Sequence, residues 1–121
     1  MQNKKDLKDR TKRFALLVIK MFSRLPKTTV AQLAGKQVLR SGTSVGANYR
    51  EADRARSTAE FVAKMGDCLK ELDESIYWFE LLVDGEIVSG EELDPLIKEA
   101  NELTAIFVTI INKTKKNNAQ K

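Results

Sequence analysis

The sequence has no histidine and a single cysteine, Cys68, among its 121 residues. Without histidine there is no Ser–His or Cys–His catalytic pair, no imidazole metal ligand, and no imidazole acid or base near neutral pH. One cysteine excludes an internal disulfide and any cysteine-cluster zinc or iron–sulfur site within one chain. Long apolar runs are also missing. No stretch approaches the ~18 residues that a membrane span requires. The run from Phe14 to Ile19 is closed by Lys20, too short and without the small-residue cleavage site of a secretory signal. Lipidation motifs are not recognisable. A free cysteine with no export signal predicts a cytoplasmic protein. With 42% apolar and 31% charged residues, the balance is that of a single globular domain rather than a disordered chain.

What is present is helical periodicity. Leu7, Thr11, Phe14, Val18, Met21 and Leu25 follow an alternating four–three spacing, one face of a helix. Pro26 ends it, because the residue before a proline avoids the α region. Thr29 with Gln32 reads as a capping box opening a second helix, whose face is Val30, Leu33, Val38, Val45, Tyr49 and Ala52. Ser57 with Glu60 and Ser89 with Glu92 read as two further boxes. The third helix presents Phe61, Met65, Cys68, Leu72, Ile76, Phe79 and Val83, and ends at Asp84-Gly85. The fourth presents Leu93, Ile97, Ala100, Leu103, Phe107 and Ile110. No segment alternates with period two over a strand's length. The pattern predicts an all-α, antiparallel up-down-up-down four-helix bundle. Its helices fall at roughly 4–25, 29–56, 58–84 and 90–113, with 114–121 a frayed basic tail.

Two segments, FALLVI (14–19) and AIFVTII (105–111), are apolar around most of the helix circumference. A helix apolar on several sides is usually buried on several sides, and in so small a chain the second burial partner is another copy. Leu16, Ile19 and Phe22 on helix one are candidate interface residues. Tyr77 and Trp78 fit either an interface anchor or ordinary core with polar tips at its edge.

Charge is unevenly placed. Residues 1–27 carry a net +7, 28–56 a net +3, 57–84 a net −5 and 85–121 a net −1. On helix one Lys5, Lys12, Arg13, Lys20, Arg24 and Lys27 lie away from the core face. Such a stripe is an electrostatic footprint for phosphates, with Arg54 and Arg56 as further candidates. A solvated face, or one that pairs with the acidic helix three of a neighbour, accounts for it equally. Few aromatics interleave with these cations, so contact with a nucleic-acid backbone is expected rather than base stacking.

The sharpest segment is RSGTSVGANYREA (40–52). Gly42 and Gly46 each cost a helix ~1 kcal/mol relative to alanine, which close approach of a neighbouring helix explains. A phosphate loop would need a Gly-Lys-Ser/Thr ending and a preceding strand, both absent. Ser41 or Ser44 has no histidine to activate it as a nucleophile. Arg40, Asn48, Arg50, Glu71 and Glu74 read as a structural polar network between helices two and three. The Glu71-x-x-Glu74 spacing resembles the carboxylates of di-iron bundles, but the histidines of that motif are missing, so no metal and no cofactor is expected.

RSGTSVGANYREA, together with DRTKRFAL (9–16), Leu25-Pro26, KELDESIYWFELL (70–82) and KEANELTAIF (98–107), resembles the 23S rRNA intervening-sequence proteins, over nearly the whole chain. Departures are small. Val38-Leu39 stands where the family often has Leu-Leu, and Leu72 where it often has alanine. The resemblance implies a four-helix bundle assembled into a ring-like homo-oligomer, a pentamer. It also implies kinship with the accessory protein of diversity-generating retroelements, a basic pentamer that acts on nucleic acid beside a reverse transcriptase. The family name records reading frames inside rRNA-gene insertions. The expected function is a non-enzymatic, homo-oligomeric nucleic-acid-binding protein, for DNA or RNA. The rival is an oligomeric scaffold for a protein partner such as a reverse transcriptase.

Overall fold

A computed structural model describes residues 4–119, the side chains of Lys4 and Lys5 aside. Among them the chain forms four helices, α1 (Lys4–Ser23), α2 (Thr29–Asp53), α3 (Thr58–Asp84) and α4 (Gly90–Ala119), each antiparallel to the one before. Leu7, Thr11, Phe14, Val18 and Met21 of α1 are buried, as is Leu25 just beyond it. Phe14 meets Phe79 of α3 edge-on, ring centroids 6.4 Å apart, and Tyr49 of α2 stacks on Phe107 of α4 at 5.9 Å. Burying each such ring contributes about 1.5–3 kcal/mol. Buried Thr11 donates its hydroxyl hydrogen to the Leu7 carbonyl (2.8 Å), so it enters the core without an unmet donor. Among the described residues no helix is long and apolar enough to cross a membrane.

Several boundaries differ from those read in the sequence. The α1 helix stops at Ser23, not residue 25, because Arg24 and Leu25 donate to the carbonyls three residues back and tighten the turn before Pro26. Thr28, not Thr29, caps α2, its hydroxyl accepting from the Ala31 amide, while Gln32 donates to the Pro26 carbonyl instead of closing a box. The α2 helix stops at Asp53, short of residue 56, since Ser57 must be extended to cap α3. Ser57 and Ser89 do accept from the Glu60 and Glu92 amides (3.0 and 3.1 Å). The segment expected to fray from residue 114 is helical to Ala119. Lys115, Asn118 and Ala119 lie beside Thr58, Ala59 and Val62 of α3, and lysines suit the negative end of the helix dipole. Residues 120–121 lie outside the described residues.

The face of α2 needs one correction. Val30 and Leu33 are 65% and 56% exposed, and Ala31, Ala34 and Gly35 take the core side. A Cβ at Gly35 would collide with Leu25 and lie 2.9 Å from Phe22. Large residues there would force α1 away, so the core takes small ones.

Candidate nucleic-acid interface

The α1 helix lies between α2 and α4, and the two seams are built differently. Toward α2 the backbones approach closely. A Cβ added at Gly42 would sit 2.8 Å from Val18, and one at Gly46 would sit 3.2 Å from Thr11. A side chain at Gly42 would displace Val18, and one at Gly46 would press tightly on Thr11, so the close approach of the helices favours glycine at both positions. Toward α4 contact is sparser, and side chains bridge the gap. Arg10 donates from Nε to Glu99 (3.0 Å), forms a second bond from the same guanidinium, and lies 3.7 Å from Glu102. The Glu99 hydrogen bond raises the guanidinium pKa, with burial opposing it.

Three cations of the stripe, Lys12, Lys20 and Arg24, divide between these seams, and Lys8 and Arg50, outside the expected stripe, join Lys12. Lys8 and Lys12 of α1 and Arg50 of α2 line a groove of about 280 Å³ together with Ala15, Gly46 and Ala47. No carboxylate lines it. Lys20 and Arg24 line a cleft of about 250 Å³ against α4, where Glu92 faces them. Arg13 is exposed. Among the described residues none of Lys8, Lys12, Arg13, Lys20, Arg24 or Arg50 forms an ion pair. Lys27 is exposed in the α1–α2 connection, and Arg54 and Arg56 are exposed between α2 and α3. The side chain of Lys5 lies outside the described residues.

The polar cluster sits on the other flank of α2. Arg40 bonds Glu71 (3.1 Å) and Glu74, and Asn48 lines the same notch. The Arg40 hydrogen bond holds the Glu74 carboxyl below the usual carboxylate range. Beneath them the Ser41 and Ser75 hydroxyls share a buried 2.7 Å hydrogen bond. Arg50, assigned to this network from its sequence neighbourhood, lies instead in the α1 groove. It is four residues from Gly46, so it shares the face that meets α1. That spacing was the signal for Arg50. Lys8, one turn before Lys12, carried the same signal.

Of the expected interface residues, Leu16, Ile19 and Tyr77 are exposed. Phe22 packs partly inside the subunit against Gly35, and Trp78 is half-buried. Burial pushes the Cys68 thiol up to about 12, so it is neutral and unreactive at physiological pH. Among the described residues no three or more Cys, Asp or Glu side chains are grouped so that they could hold a metal ion.

Comparison with known proteins sets this geometry in a family. The family model for the 23S rRNA-intervening sequence protein matches residues 3–109. The chain belongs to that family. This intervening-sequence family member is also similar to a solved structure from Bacteroides thetaiotaomicron, described as a protein of unknown function from the S23 ribosomal protein family. The two share 35% identity and a TM-score of 0.84, over 90% of this chain and 97% of the other. No curated protein matches the sequence of this family member.

Proposed function

We propose that this intervening-sequence family member is a non-enzymatic, homo-oligomeric protein that binds nucleic acid through its phosphates, largely without regard to sequence. One observation carries the reading: the described cations of the α1 stripe are exposed and not ion-paired, whereas Arg10, which faces α4, is held by Glu99. Unpaired surface cations release counterions from a nucleic-acid backbone on binding, which makes affinity fall steeply with salt. Self-association is supported by Leu16, Leu17 and Ile19 on α1, which stay 45–51% exposed. A pentameric ring, as the resemblance implies, would repeat one weak patch into an avid surface.

The test is a titration of labelled duplex DNA and structured RNA across salt concentrations, with sedimentation to give the subunit number. Reversing the charge of Lys12, Arg13 and Lys20 together is expected to abolish binding while leaving the helical circular dichroism unchanged. Unchanged binding would remove the stripe from the account. A second reading, a scaffold for a protein partner such as a reverse transcriptase, is favoured by Val30 and Leu33 on α2 and Tyr77 and Leu81 on α3. These four are 40–65% exposed on two adjacent helices. Under that reading the charge-reversed protein retains its partner, and substitutions at Leu33 and Tyr77 release it.

A further inference from the structure

We infer that the α1–α2 groove is the seat of the phosphodiester backbone, with Lys8, Lys12 and Arg50 as its three ligating cations; the inference rests on the nucleic-acid reading above. Three features of the groove converge on this assignment. Cations from two helices line one concavity of about 280 Å³ with no carboxylate in its wall. The equivalent cleft on the other side of α1 places Glu92 among its cations, where a phosphate would meet a like charge. The lining also includes Ala15, Gly46 and Ala47, whose small size leaves room for an anion beside the long cationic side chains.

The donor inventory narrows the chemistry. The hydroxyls of Thr11 and Thr43, which also line the groove, each donate to a carbonyl of their own helix, Leu7 (2.8 Å) and Leu39 (2.7 Å). Their hydrogens are spent, and both helices bond their backbone amides internally at this depth. Anion recognition therefore falls on the two ammonium groups and the guanidinium. Lys8 and Lys12 are one turn apart, a rise of ~6 Å, of the order of the spacing between successive phosphates on one strand. Arg50 supplies the planar fork that grips a phosphate by two hydrogen bonds. A chain of phosphates matches this row better than a single free anion. No aromatic side chain lines the groove, so the bases are not read there.

The test places a carboxylate in the groove. Ala47 is exposed on the helix surface, so Ala47→Glu should fold, and it is expected to weaken duplex DNA binding about tenfold. Arg50→Ala is expected to lower the slope of log affinity against log salt by about 0.9, and Arg50→Lys to restore most of it. Inorganic phosphate at equal charge concentration should compete weakly. Competition as strong as that of a DNA strand would overturn the strand assignment in favour of a free-anion site. If Ala47→Glu and Arg50→Ala both bind like the parent, while the Lys12, Arg13 and Lys20 reversal does not bind, the groove assignment fails and the wider reading stands. If the parent shows no salt-dependent binding, both fail together.

Discussion

The two flanks of α1 carry comparable numbers of cations and differ in what they face. On the α2 side, glycines bring the backbones together and Lys8, Lys12 and Arg50 share a groove with no acidic wall. On the α4 side the helices stand further apart. Glu99 and Glu102 engage Arg10 there, and Glu92 opposes Lys20 and Arg24. A count of lysines and arginines along one helix treats these as equal. What decides availability is the charge of the neighbouring helix, since a cation beside a carboxylate gains less from a phosphate than one with none.

The comparison breaks most sharply where the backbones are closest. Gly42→Val would drive a branched side chain into Val18, already 2.8 Å from a mere Cβ. The expected loss is about 3 kcal/mol, toward the upper end for overpacking, read as a lowered urea midpoint. Glu99→Gln tests the other flank by removing the anion that holds a mostly buried guanidinium. A loss of about 1–2 kcal/mol is expected. A larger loss there than at Gly42 would reverse the ranking of the seams. Gly66 belongs to neither flank. A Cβ there would meet nothing within 4 Å, so Gly66→Ala should raise stability by about 1 kcal/mol through helix propensity alone. A loss instead would show that this face is covered in the assembled protein.

Much of the fold was legible because periodicity and capping are local signals. The α1 face, the Ser57 and Ser89 caps and the end of α3 at Gly85 all appear where side-chain spacing places them. The failures have a shared cause. Periodicity places Val30 and Leu33 inward because they are large and apolar, yet packing against Phe22 and Leu25 demands the small residues beside them. Sequence neighbourhood groups Arg50 with the acidic cluster. Arg40, positioned toward α3, takes both Glu71 and Glu74. Which flank of α2 meets which neighbour is a tertiary fact, and the glycines at 35, 42 and 46 were its only trace in the sequence. Composition makes the segment beyond residue 113 polar and unpartnered, but Lys115, Asn118 and Ala119 lie alongside the start of α3.

The lone tryptophan has a practical meaning. Trp78 sits half-buried on α3, with Tyr77 at its edge and Glu74, which Arg40 of α2 engages, one turn before it. That places the one indole chromophore on the flank of α2 away from the α1 groove. Its emission therefore watches the α2–α3 surface, the face on which the scaffold reading seats a protein partner. It has no direct view of a strand lying on α1. A titration followed by tryptophan fluorescence and by labelled nucleic acid would separate partner docking on α2–α3 from phosphate capture in one cuvette, with no dye on the protein.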